Sequence, residues 1–183
     1  MSKNIISFFW VLLFVFCSCN QKNKKIIEIT PISTKEEKLQ DRFISKSLES
    51  INVILSEEKK SDENKIILIY TGYDCQSCVD KGYKILKTIR SQNETKKIFI
   101  ISSNTNIGRD QERNEYYDFV HNDEKELVRK ELKFIFTPII LVLDKDNCIL
   151  HINFPETNSS EKEMVEQIIR VSKKNPLIIE AQG

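Results

Sequence analysis

The chain holds 183 residues, room for one domain of usual size and an extension. Apolar residues make up 40% and charged residues 30%, proportions that exclude a polytopic membrane protein, a low-complexity disordered chain and a collagen-like fibre. Twenty-eight Lys and Arg against 27 Asp and Glu leave a formal charge of +1, which offers no bulk positive field to a nucleic acid.

The chain opens on Lys3 and an apolar run from Ile5 to Phe16, broken only by Ser7 and closing at Cys17-Ser18-Cys19. About twelve positions match a signal-peptide core and fall short of the roughly 20 that a membrane-spanning helix needs. The polar stretch Asn20 to Lys25 follows at once. With Ser18 before Cys19, the segment resembles a bacterial lipoprotein signal, which implies lipidation of Cys19. Phe16 and Cys17 stand where that signal usually has Leu and a small residue, so ordinary secretory cleavage nearby is the alternative. On this reading residues 1–18 are a signal peptide, 19–25 a tether, 26–178 one domain and 179–183 a tail. Removing the first segment takes Lys3 and the lone tryptophan, Trp10, leaves zero formal charge and puts the domain outside the cytosol, where disulfides persist.

Residues 26–32 alternate weakly and predict a short edge strand, the kind of strand that tolerates Pro31. Over 35–58, Leu39, Phe43, Leu48, Ile51, Ile54 and Leu55 fall on helical spacing and predict one amphipathic helix. Lys65 to Thr71 is a continuous apolar run ending before Gly72, the pattern of a strand buried on both faces. Val79, Tyr83, Leu86 and Ile89 predict the next helix, and Ile98 to Ser102 a second buried strand. The charged region 109–133 reads as one or two surface helices interrupted near Asn122 and Asp123. Ile139 to Leu143 is a third run, Asp144 to Asn147 carries turn chemistry, and Cys148 to Phe154 returns as a hairpin strand. Ser160 and Glu163 form a capping box for the last helix, with Met164, Ile168, Ile169 and Val171 facing inward. Alternating strands and helices followed by a hairpin predict an α/β sheet, parallel first and antiparallel on one side.

Cys75-Gln76-Ser77-Cys78 stands a few residues past the first buried strand, where the next helix begins. Free N–H groups and the positive end of the helix dipole stabilise a thiolate at Cys75, and Cys78 lies within reach to resolve a mixed disulfide formed there. A static disulfide or half of a zinc site would use the same spacing, although no second Cys-x-x-Cys or close His pair completes four ligands.

From Lys65 to the last helix the chain resembles the thioredoxin-like superfamily, in particular the membrane-tethered thiol-disulfide oxidoreductases of the TlpA and ResA type. Thr137-Pro138 before Ile139 to Leu143, followed by Asp144-Lys145-Asp146-Asn147, is similar to that family's Thr-Pro, strand, Asp and turn pattern. The resemblance implies a thioredoxin-like fold, a mixed central sheet with helices on both faces. It also implies a cis Pro138 whose loop faces the cysteines, with the backbone of Thr137 pairing with the substrate chain. The activity implied is disulfide exchange with exported cysteine-containing proteins through Cys75 and Cys78, by a protein held at the membrane by a lipid anchor, in the periplasm. A membrane electron-transfer partner is implied, with no cofactor, metal or nucleic acid.

Several positions depart from the family pattern. Tyr70 and Tyr73 replace its tryptophan, Asp74 places a carboxylate beside Cys75 where it opposes thiolate formation, and Ile69 stands where thioredoxin has a buried acid. Gln76-Ser77 lacks the proline common between the cysteines. Gly82, inside a helix, reads as permitting a bend or close packing, or as an accidental surface glycine. His121 and His151 read as structural or solvated residues, and Cys148 as a small apolar core residue with a redox partner as its alternative. Two other functions use the same residues: a peroxide-reducing relative, which lacks its activating Pro and Thr here, and a thioredoxin-fold binding or copper-delivery module in which the cysteines hold copper with His121 or His151 assisting.

Overall fold

The computed structural model of the chain describes residues 41–55, 63–92, 97–155 and 160–173. The expected signal peptide, tether, tail and strand at 26–32, and the beginning of the first expected helix, lie outside the described residues. Among the described residues, no helix is long and apolar enough to cross a membrane.

The apolar runs form the strands they predict: β1 (Lys65–Tyr70), β2 (Lys97–Ser102) and β4 (Ile139–Leu143). With β3 (Val120–Asn122) and β5 (Ile149–Asn153) they make a five-stranded sheet in the order β3-β2-β1-β4-β5. β1, β2 and β3 run parallel, whereas β4 is antiparallel to both β1 and β5. The helices are α1 (Glu49–Ile54), α2 (Gln76–Gln92), α3 (Ile107–Asn114), α4 (Leu127–Glu131) and α5 (Glu161–Ser172).

Side chains alternate across a strand, so each central strand feeds two cores. Ile67, Ile69, Phe99, Leu141 and Leu143 pack with Ile51 of α1 and Val128 of α4 on one face. Ile66, Leu68, Tyr70, Ile100 and Val142 pack with Val79, Tyr83, Leu86 and Ile89 of α2 and with Met164, Val165 and Ile168 of α5 on the other. Gly82 is where α2 meets β1, since a Cβ there would stand 2.8 Å from Cδ1 of Leu68. The Ser160 capping box forms, its hydroxyl accepting from the N–H of Glu163.

Two expectations are corrected. The helix expected over 35–58 is broken within its described part: Ser45 has φ 69°, Ser47 bridges to Cys148, and α1 starts only at Glu49. The main chain here pairs with the start of β5, Ser45 N–H donating to Ile149 C=O (2.8 Å) and Ile149 N–H to Lys46 C=O (2.9 Å). Phe43, Leu48, Ile51 and Leu55 still reach the core across the break, which is why their spacing reads as one helix. The charged stretch 109–133 hides a strand between its two helices: β3 adds in parallel to β2, with Val120 opposite Ile100.

Candidate active site

Register builds the site. Ile69 pairs with Ile139, so the residues just before β4, Thr137 and Pro138, arrive beside the residues just after β1, Thr71 to Cys75. The Thr137-Pro138 peptide is cis. Pro138 is buried and Thr137 half-buried.

Cys75 stands immediately before α2, and its carbonyl accepts from the N–H groups of Cys78 and Val79, both at 3.0 Å. Helix α2 is 17 residues long, so the positive end of a full dipole is turned on this residue. Cys75 is exposed and Cys78 half-buried. The Cys75 thiol is held below its ordinary pKa, first by a hydrogen bond with the Cys78 side chain and then by one with Ser77, whose Oγ lies 3.1 Å from Sγ. These bonds favour the thiolate, which is the nucleophilic form.

The carboxylate of Asp74 is turned toward the opposite loop. Oδ1 accepts from the hydroxyl of Thr137 and Oδ2 from the N–H of Thr71, each at 2.7 Å. The two tyrosines near the motif separate: Tyr70 is buried, its hydroxyl 2.9 Å from that of Tyr83 and pushed up to about 12 by burial, while Tyr73 is 98% exposed. Tyr73 precedes Asp74 and Phe136, 62% exposed, precedes Thr137, so an exposed aromatic adjoins each partner of that bond.

Sequence reading misses the support beneath the motif. Gln76 Nε2 donates to Asp80 Oδ1 at 3.2 Å and to Asp110 Oδ1 at 3.4 Å. Asp110, 2% exposed, also accepts from Arg113 Nη2 and Asn104 Nδ2, each at 2.8 Å. A carboxylate so deeply buried is stable only with such donors. Nothing in the charged sequence around Asp110 distinguishes it from its exposed neighbours; the signal comes from the fold alone.

The remaining sequence candidates stay away from the dithiol. His121, on β3 two strands from β1, sits edge-on to Phe99 and Phe119. His151, on β5, pairs with Val142, and Val142 with Ile66 near the far end of β1. Cys148 is buried where Ser47 bridges to it. Among the described residues, no group of three or more His, Cys, Asp or Glu is placed to hold a metal ion.

No family model matches the sequence, and no curated protein matches it. Solved structures do match. A Chlorobium tepidum protein assigned as a thiol:disulfide interchange protein DsbE is 11% identical, over 64% of this chain and 84% of that one, with a TM-score of 0.50. A secreted disulfide oxidoreductase of Mycobacterium tuberculosis homologous to DsbE is 10% identical over 60% of this chain and 83% of that one, TM-score 0.49. StoA of Bacillus subtilis is 13% identical over 58% and 82%, TM-score 0.44. Identity at this level carries the fold alone: the chain has a thioredoxin-like fold, with a mixed sheet between helical layers. Its Cys75–Cys78 dithiol stands at the start of α2, beside a cis-proline loop.

Proposed function

We propose that the chain is an extracytoplasmic thiol-disulfide oxidoreductase that exchanges disulfides with exported cysteine-containing proteins. The observation that carries this reading is the exposed Cys75 thiol at the head of α2, its pKa lowered by Cys78 and Ser77. In the reducing direction the Cys75 thiolate attacks one sulfur of a substrate disulfide. That S–S bond breaks, the other substrate sulfur leaves as a thiolate and takes a proton, and a mixed disulfide remains. Cys78, losing its proton, attacks Sγ of Cys75 and releases the second substrate thiol. Two electrons have passed to the substrate and the protein is left with a Cys75–Cys78 disulfide. A membrane electron-transfer partner restores the dithiol. Thr137 offers its backbone to the substrate chain in the manner of an added strand, beside Pro138.

The test is reduction of insulin by the purified protein with dithiothreitol as donor. Wild type should accelerate the reaction and Cys75→Ser should not; activity retained in the variant ends the reading. Placement outside the cytosol rests on residues 1–25, with Cys19 as the acylated anchor. Labelled palmitate should enter the wild type in cells and be absent from Cys19→Ala, and equal labelling of the two would remove the anchor.

A further inference from the structure

Asp74 immediately precedes the nucleophile, and its two carboxylate oxygens are divided between two loops. Oδ2 stays within its own turn, accepting from Thr71 N–H at 2.7 Å. The same turn is closed by Asp74 N–H to Thr71 C=O and by Tyr73 N–H to Thr71 Oγ1, both at 3.3 Å. Oδ1 crosses to the cis-proline loop and accepts from the Thr137 hydroxyl at 2.7 Å. The ladder between β1 and β4 ends at Ile69 and Ile139. Beyond that point the sheet brings the two loops together, and this bond joins the residue beside Cys75 to the residue beside Pro138.

We propose that Asp74 is the positioning residue of the dithiol site: through Thr137 it fixes the cis-proline loop against Cys75 and so favours polypeptide disulfides over small ones. The inference rests on the oxidoreductase reading. A polypeptide disulfide is held at two points, its sulfur at Cys75 and its backbone at Thr137, and reacts well only when the two are mutually aligned. A small disulfide has no backbone to place on Thr137, so its exchange depends on Cys75 alone. A hydrogen bond between a neutral hydroxyl and a carboxylate is of the stronger kind, and its loss frees the Thr137 loop relative to the thiol. Thr137→Val deletes the bond while leaving the Asp74 charge beside Cys75, which separates positioning from any electrostatic effect on the thiolate.

The test compares kcat/KM for insulin with that for 2-hydroxyethyl disulfide, with dithiothreitol as electron donor, across five proteins: wild type, Thr137→Ser, Thr137→Val, Asp74→Ala and the Asp74→Ala/Thr137→Val double variant. Thr137→Val and Asp74→Ala should each lower the ratio of insulin to small-disulfide kcat/KM about tenfold, the size of one hydrogen bond to a charged acceptor. The change should be carried in KM for insulin. The double variant should lose no more than either single one, since both remove the same bond. Thr137→Ser, which keeps the hydroxyl, should restore the ratio. Equal losses on both substrates, losses that multiply in the double variant, or a Thr137→Ser protein as impaired as Thr137→Val would overturn the proposal alone. A wild type that reduces neither disulfide overturns the oxidoreductase reading, and this inference falls with it. Should Asp74→Ala fail to fold, Thr137→Val against Thr137→Ser still decides the proposal, since that pair differs in the hydroxyl and keeps the carboxylate.

Discussion

The imidazole of His151 is buried in β5, and burial holds its pKa down at about 4 against the opposing effect of a hydrogen bond with Asn153. In the unfolded chain it titrates near 6.5. Between these values the unfolded state binds a proton that the native state refuses, so stability is full above pH 6.5 and falls as the pH drops toward 4. A shift of this size corresponds to about 3 kcal/mol once the lower value is passed. Urea unfolding followed from pH 7 to 4.5 should therefore show a shallower loss in His151→Gln than in wild type; parallel curves would place the acid sensitivity elsewhere. Cys75 shows the opposite behaviour, with its charged form favoured. The Cys78 side chain is the largest cause, so Cys78→Ala should move the midpoint of Cys75 alkylation by iodoacetamide to higher pH. Ser77→Ala should move it the same way by less, and an unmoved midpoint in Cys78→Ala would discard this account of the thiolate. Cys75, Cys78, Thr137 and Pro138 are legible in the sequence because each belongs to a short pattern. The bond from Thr137 to Asp74 spans 63 positions and is set by strand register, and no local pattern announces it.

Helix α2 carries a glycine that local propensity disfavours and packing requires. Gly82→Ala gains about 1 kcal/mol of helix propensity. It also drives a methyl to within 2.8 Å of Leu68, a fully buried side chain, and overpacking of this kind costs about 1–3 kcal/mol. The net expectation is a loss of about 1 kcal/mol in urea unfolding, and a stabilised Gly82→Ala protein would show that the helix has room to move away. The same contest between local pattern and pairing decides what could be read in advance elsewhere. β1, β2 and β4 are continuous apolar runs buried on both faces, and α5 has both its periodicity and its cap in the sequence, so all four elements are legible. β3 is three residues, Val120, His121 and Asn122, with only its first an aliphatic residue, and its place comes from pairing with β2. The break at Ser45 is equally silent, because a helix and a helix-turn-helix can bury the same apolar residues.

Across the molecule, one face of the sheet is closed by a contact between distant parts of the chain. The N-cap position of α1, Leu48, has no side chain to serve the first N–H groups. Glu131, at the end of α4, serves them: its carboxylate accepts from the N–H of Glu49 at 2.9 Å, the N–H of Ser50 at 3.0 Å and the Ser50 hydroxyl at 2.5 Å. Burial pushes the Glu131 pKa up, but these bonds outweigh it and hold the carboxyl below its ordinary value. Its contribution is present above the unfolded carboxylate pKa and is lost as acidification passes through the native one. Glu131→Gln should cost about 1 kcal/mol at pH 7, the usual worth of a helix cap, and less at pH 3; a loss independent of pH would assign the effect to packing. This clamp stands beside the seam where residues 45–48 join the start of β5, and Ile149 pairs with Leu143, which pairs with Lys65. The dithiol leaves from the opposite end of β1, beyond Tyr70. Six residues at about 3.3 Å each put nearly 20 Å of sheet between the two ends. A pull applied to the chain before residue 41 would reach the seam and the Glu131 clamp first, a full strand length from Cys75 and Cys78. Under such a pull the seam would serve as the sleeve does where a cable enters its plug, bearing the load before it reached the contacts at the far end.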